Sequence, residues 1–157
     1  CLYFGLMITK YGAKVIEYNC RFGDPETQVI LPLLKSDLLD IMIATTNGNL
    51  DKVKVEFENK SAACIIMASE GYPLEYKKGF AINIPKDIIE RVYFAGVKKE
   101  NEKLLTNGGR VLGITNIADT LDKAIKLSYE DAKQISFEGA YYRKDIGEKA
   151  LLKKGNN

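Results

Sequence analysis

The sequence predicts an α+β chain in which a β-hairpin with helices is followed by a small mixed α/β unit. Two apolar, strand-like runs, Leu2–Thr9 and Lys14–Asn19, flank Lys10-Tyr11-Gly12-Ala13, whose glycine supplies the positive φ that a short hairpin link needs. Val29, Ile30, Leu33, Leu34, Leu38, Ile41 and Met42 then recur at helical spacing. From residue 53 the period changes to that of strands, until an amphipathic helix closes the pattern. The division falls near residue 55, giving units 1–55 and 56–157.

Within the first unit, Asp24-Pro25-Glu26 reads as a helix start: Asp as cap, Pro at the first helical position, Glu toward the positive end of the helix dipole. Pro32 interrupts the apolar pattern and predicts a kink or two short helices. Thr46-Asn47-Gly48-Asn49 ends that segment, with a short turn at Leu50–Val53. In the second unit, strands are expected at Val53–Phe57, Ala62–Ser69, Gly79–Ile84, Arg91–Val97 and Arg110–Asn116. Glu70-Gly71-Tyr72-Pro73 is a turn, and Lys98–Asn107 a charged loop or hairpin. Asp119 is expected to cap a helix running to Ile135, with Leu121, Ala124, Ile125, Ala132 and Ile135 on its apolar face. Lys153–Asn157 reads as a frayed tail.

Composition narrows the chemistry. Apolar residues make up 46% and charged residues 28%, which places the chain with globular proteins and not disordered ones. The net charge of +2 is too balanced to suggest nucleic acid or a membrane surface as a partner. No apolar run reaches the ~20 residues of a membrane span. Cys1, Cys20 and Cys64 are too few and too scattered for a disulfide framework or a zinc site, and free thiols fit a reducing, cytoplasmic compartment. Histidine is absent, which excludes Ser-His-Asp and Cys-His triads and leaves carboxylates, amides, Lys, Arg and hydroxyls.

Glu17, Asn19 and Arg21 carry the most informative spacing. In a strand, residues two apart share a face, so this one presents a carboxylate, an amide oxygen and a guanidinium in one row. Magnesium takes hard oxygen ligands and shares them with substrate phosphates, which suits Glu17 and Asn19. Arg21 suits a phosphoryl or acyl-phosphate oxygen. The same spacing also fits the polar side of an edge strand with Arg21 paired to Glu17, and it does not decide between the two. Gly108-Gly109-Arg110 fits either a backbone cradle for a substrate phosphate or a hairpin turn with a surface arginine. Cys20, opposite in phase to Asn19, is expected to face the core and be unreactive. Arg143 and Asp145 are expected to pair, and Tyr141 and Tyr142 to pack.

The run Glu17-Tyr18-Asn19-Cys20-Arg21-Phe22-Gly23-Asp24-Pro25-Glu26-Thr27-Gln28 resembles the metal-binding strand of the ATP-grasp superfamily, in the form found in the phosphoribosylamine–glycine ligase family. The likeness extends through Leu2–Met7, Leu31–Leu38, Thr106–Leu112 and Phe137–Gly147, in order and over nearly the whole chain. It implies the end of an ATP-grasp domain followed by the ligase's carboxyl-terminal subdomain. It further implies that Glu17 and Asn19 hold Mg2+ (or Mn2+), that Arg21 contacts the phosphoryl or acyl-phosphate group, and that Arg110 binds substrate phosphate. Asp24 is implied either as a contact for the glycine amine or as a helix cap. The implied small molecules are glycine, phosphoribosylamine and ATP as co-substrate, in purine synthesis through a glycyl phosphate.

The chain starts with Cys rather than Met, directly inside strand-like sequence, and so reads as a carboxyl-terminal fragment. It holds no Gly-rich phosphate loop, so by itself it is expected to be inactive. Strand Leu2–Ile8 is expected to leave an unpaired edge through which copies can self-associate. Two other readings stand beside the ligase. One is a non-catalytic assembly or regulatory module; the other is a different ATP-grasp carboxylate–amine ligase.

Overall fold

A computed structural model describes residues 1–152, and the tail expected at Lys153–Asn157 lies outside them. The fold is α+β, as the periodicities require. Strands β1 (Tyr3–Thr9) and β2 (Gly12–Asn19) form an antiparallel hairpin through a two-residue link, with Thr9 opposite Gly12 at φ +95°. Helices α1 (Thr27–Ile30) and α2 (Leu38–Thr46) follow, separated by a 3₁₀ turn at Leu31–Leu33. Pro32 therefore divides the pattern into two helices. The second starts on Asp37, whose carboxylate accepts from the Leu39 N–H at 2.7 Å. Gly48, at φ +68°, takes the left-handed turn that ends it.

The second unit is built on a four-stranded antiparallel sheet in the order β4-β7-β3-β8, from β3 (Ser61–Ser69), β4 (Val92–Phe94), β7 (Arg110–Ala118) and β8 (Ala140–Tyr141). A separate hairpin joins β5 (Val97–Glu100) to β6 (Lys103–Thr106). Helix α3 (Leu121–Ala132) covers one face of β3 and β7, while α1 packs against the same two strands. The core gathers Ile65, Met67, Val111, Leu112 and Ile114 from the sheet with Ile88, Ile135 and Phe137 from the segments around it. A second cluster joins Ala124 and Ile125 of α3 to Ala63 and Ala118. The short helix α4 (Glu148–Leu152) closes the described chain. Among the described residues no helix is long and apolar enough to cross a membrane.

Several local expectations are corrected. Val53–Phe57 is no strand: it makes one bridge, Leu34 to Phe57, and its exposed Lys54 and Glu56 pair with each other. Backbone bonds from Lys35 N to Glu56 O (2.9 Å) and Glu58 N to Leu33 O (2.7 Å) stitch it to the 3₁₀ turn. Gly79–Ile84 is extended, but its bonds alternate between β6 and Ser136, so no continuous ladder forms. Arg91–Val97 breaks at Gly96, where the chain leaves β7 for β6. The expected helix to Ile135 ends at Ala132, and Asp119 does not cap it; Thr120 occupies the cap position without a side-chain bond. Arg143 and Asp145 do pair, at 2.5 Å, on the surface. Tyr142 packs against the core, whereas Tyr141 stays exposed on β8.

A polar network ties α3 to the sheet. The Ser128 hydroxyl accepts from the Asn116 N–H (3.1 Å) and donates to the Ala63 carbonyl (2.8 Å), two groups opposite each other in the β3–β7 register. Asn116 Nδ2 and Arg91 Nε both donate to Asp131 Oδ2, at 2.8 and 2.7 Å.

Candidate functional site

The hairpin positions Glu17 and Asn19. On β2 they lie two residues apart and so share a face, where they oppose Gly5 and Tyr3 of β1. The ladder contains a bulge: Gly5 pairs with Glu17 but Leu6 with Val15, so Ile16 is the extra residue. A bulge of this kind re-aims the side chains that follow it, and here those are Glu17 and Asn19. Gly5 leaves room for the carboxylate. A Cβ on Gly5 would come within 2.9 Å of Glu17 Cγ and 3.5 Å of its Oε1.

Arg21 does not continue the row. β2 ends at Asn19 because β1 offers no partner before Tyr3, and the chain bends at Cys20 and Arg21. Arg21 is exposed and donates to the neighbouring Phe22 carbonyl at 3.2 Å, not to Glu17. Cys20 is exposed as well, correcting the expectation that it faces the core, since at the bend the strand alternation no longer applies.

The bend leads into an open cleft of about 660 Å³, whose walls include Arg21, Asp24, Thr27 and Gln28 on one side and Tyr93 and Phe94 of β4 on the other. Asp24 is not a helix cap. The Asp24–Pro25 peptide is cis, and α1 starts only at Thr27, whose N–H and hydroxyl both donate to the Gly23 carbonyl (3.0 and 2.6 Å). Instead the Asp24 carboxylate accepts from Gln28 Nε2 at 2.8 Å and faces Arg110 Nη2 at 3.4 Å. Arg110 Nη1 also donates to the Asp24 carbonyl at 3.0 Å. Arg110 itself does not line the cleft.

Gly108 and Gly109 are needed for close packing. A Cβ on Gly108 would stand 2.8 Å from Gly96 Cα, and one on Gly109 would run into the Tyr72 ring at 2.1 Å. Both carbonyls are occupied, accepting from Ser69 Oγ (2.9 Å) and Ser69 N (2.8 Å).

Charges and burial also shift groups around this region. The Glu26 carboxylate beside Tyr3 raises its phenol above the ordinary value, with Glu17 adding in the same direction. Gly23 makes room for that pairing, since a Cβ there would meet Glu26 Oε2 and the Tyr3 ring. Burial pushes the Cys64 thiol up, the Thr115 hydroxyl draws it down, and the charge of Asp24 pushes it up again. Tyr93 is raised by burial and then by Cys64. Gly5, Tyr3, Gln28 and the β4 aromatics were not singled out from the sequence. Gln28 had a local signal, four residues after Asp24 at helical spacing; the β4 residues had none.

The donor set fits a hard divalent cation. Glu17 and Asn19 offer oxygen ligands at partly or fully exposed positions, with the Gly5 gap beside them. Among the described residues no group of three His, Cys, Asp or Glu side chains gathers to hold an ion, so further ligands would have to come from substrate or water.

Comparisons with known proteins show the family. The family model described as phosphoribosylglycinamide synthetase, C domain, matches residues 62–149, and the ATP-grasp (A) domain model of the same synthetase matches residues 1–27. The chain is 54% identical over 146 residues to the phosphoribosylamine–glycine ligase of Caldanaerobacter subterraneus subsp. tengcongensis, covering 92% of this chain and 35% of that protein. It is 47% identical over 154 residues to the human trifunctional purine biosynthetic protein adenosine-3, covering 96% of this chain and 15% of that one. A crystal structure of phosphoribosylamine–glycine ligase from Thermotoga maritima superposes with a TM-score of 0.73 at 36% identity, over 92% of this chain and 36% of that one. The chain thus spans about a third of the length of the single-function ligases it matches.

Proposed function

The chain belongs to the phosphoribosylglycinamide synthetase family, and from that premise we propose that it forms the carboxyl-terminal part of an ATP-dependent ligase joining glycine to phosphoribosylamine in purine synthesis. The observation that carries this reading is the pair Glu17 and Asn19 on one hairpin face, opposite a glycine that leaves the carboxylate free. Glu17 and Asn19 would hold Mg2+ or Mn2+ through their side-chain oxygens. When bound, such an ion would supply positive charge against phosphate oxygens.

In this reading ATP transfers its γ-phosphoryl group to a carboxylate oxygen of glycine, releasing ADP. The amine of phosphoribosylamine then attacks the carbonyl carbon, phosphate leaves, and the nitrogen loses a proton. Arg21, with an exposed guanidinium at the cleft wall, steadies the transferred phosphoryl or acyl-phosphate oxygens. Asp24, on the same wall, receives the ammonium of glycine. The upstream part of such a ligase supplies the nucleotide pocket, because the sequence of this chain holds no Gly-rich phosphate loop. Alone, the chain does not turn over ATP. Its place of action is the cytoplasm.

The test is magnesium-dependent turnover in the complete ligase polypeptide carrying this chain. Glu17→Gln and Asn19→Ala should each raise the metal concentration needed by about tenfold or more, as loss of a metal partner does. Unchanged metal dependence in both variants would show that the hairpin row is not the metal site. Glycine-dependent ATP turnover by residues 1–157 alone would overturn the assignment of nucleotide binding to another part.

A further inference from the structure

Asp24 lines an open cleft, three residues before the four-residue helix α1. Its side chain is 52% exposed. A free carboxylate in that position would sample several rotamers, and a substrate contact built on it would be loose. Two donors from different parts of the fold prevent this. Gln28 Nε2 takes Oδ1 at 2.8 Å, while Arg110 spans Oδ2 at 3.4 Å and the main-chain carbonyl at 3.0 Å.

We propose that Arg110 is a positioning residue, acting through Asp24 and not on a substrate phosphate. With Gln28 it fixes the carboxylate that receives the amine of glycine, an inference that rests on the ligase reading above. The planar guanidinium suits the task because its separate N–H groups reach a carboxylate and a carbonyl together, which a lysine ammonium does less well.

Arg110 is itself delivered rigidly. Its carbonyl accepts from Gly96 N at 2.9 Å, and Ser69 holds the carbonyls of Gly108 and Gly109 immediately before it. Gly96 and Gly108 are packed so closely that no side chain fits at either. The guanidinium therefore comes from the start of β7, an inner strand of the four-stranded sheet, and reaches Asp24 without itself lining the cleft. Arg21 stays on the wall, donating to the adjacent Phe22 carbonyl. One cation in the cleft and one behind the carboxylate are thereby given separate tasks.

The experiment is steady-state kinetics on the complete ligase polypeptide with glycine, phosphoribosylamine and ATP varied in turn. Arg110→Met should raise KM for glycine by about tenfold, the scale of one lost charge-assisted hydrogen bond. KM for phosphoribosylamine and for ATP should stay within about twofold, since neither loses a contact. Gln28→Leu should move KM for glycine in the same direction, and the double variant should fall short of the product of the single effects, because both act on one carboxylate. Arg110→Lys should recover only part of the loss.

A rise in KM for phosphoribosylamine alone in Arg110→Met would assign the guanidinium to the substrate phosphate and overturn the proposal. A uniform loss of kcat with a lowered melting temperature and unchanged KM values would reduce Arg110 to a structural role and overturn it equally. An Asp24→Asn variant with unaltered KM for glycine would sink the underlying reading of Asp24, and the proposal with it.

Discussion

Arg110 grips Asp24 at two points, donating to its carbonyl at 3.0 Å and facing its carboxylate at 3.4 Å, across 86 residues of sequence. The contact joins the segment after the hairpin to the first residue of the central strand β7. Both side chains remain substantially exposed, 39% and 52%, so solvent screens the pair. Arg110→Met is therefore expected to cost under about 1 kcal/mol of stability. Urea unfolding of residues 1–157 checks this, and a larger loss would mean that Arg110 supports the packing of the two parts as well as the carboxylate.

The Asp131 network should dominate the acid limb of stability. Burial pushes the Asp131 carboxyl up, but the Arg91 guanidinium and the Asn116 amide outweigh it and leave it below the ordinary carboxylate value. A group depressed in the folded state adds stability that is present above its unfolded pKa, near ~4, and is lost as pH falls through the folded value. Asp131→Asn is expected to cost about 2 kcal/mol at neutral pH, reduced from the fully buried case because Arg91 is part-exposed. It should also flatten the decline in stability below about pH 4. Urea midpoints measured across the acid range decide the matter, and a parallel downward shift with an unchanged acid limb would refute the assignment.

Ser128 should be a sensitive core position. Its hydroxyl serves the opposed backbone groups of Asn116 and Ala63 and is fully buried. Ser128→Ala is expected to cost about 1–3 kcal/mol, the penalty for leaving buried backbone groups without a partner. Thermal unfolding monitored by circular dichroism measures it. A neutral effect would show that the two strands close the gap by bonding directly.

Two glycines should behave differently. Gly96→Ala would bring a Cβ within 2.6 Å of the Arg110 carbonyl and Gly108 Cα, backbone atoms that cannot easily yield, so a loss of about 2 kcal/mol or more is expected. Gly5→Ala meets the exposed Glu17 side chain, which can swing aside. It should leave stability nearly unchanged and raise the metal requirement of the complete ligase. Equal stability losses in the two variants would contradict this contrast.

The thiols should separate by reactivity. Cys1 and Cys20 are exposed, whereas Cys64 is partly buried, and burial raises its pKa. Labelling with an aromatic disulfide at neutral pH should therefore modify Cys20 quickly and Cys64 at least about tenfold more slowly, since the thiolate is the reactive form. Cys1 is exposed too, so Cys20→Ser should remove one of two fast thiols and leave the slow Cys64 phase unchanged.

Much of the fold was legible because it is local. The apolar runs Leu2–Thr9, Lys14–Asn19 and Ala62–Ser69, the helical spacing around Pro32, and the apolar face of Leu121–Ile135 all report on residues within a few positions of each other. Short-range pattern failed where partners decide the outcome. Val53–Phe57 alternates but has no strand beside it, and Gly79–Ile84 divides its bonds between two neighbours.

The candidate site divides in the same way. Local pattern places Glu17 and Asn19 on one face, because the strand period is set by backbone geometry alone. Long-range packing sets the rest: the row stops at Asn19, Cys20 turns outward, Ile16 bulges to re-aim Glu17, and Arg110 closes on Asp24. Each of these depends on where a strand's partner ends or on which distant segment packs alongside. Such contacts are selected by the burial of the whole core, and no local period records them.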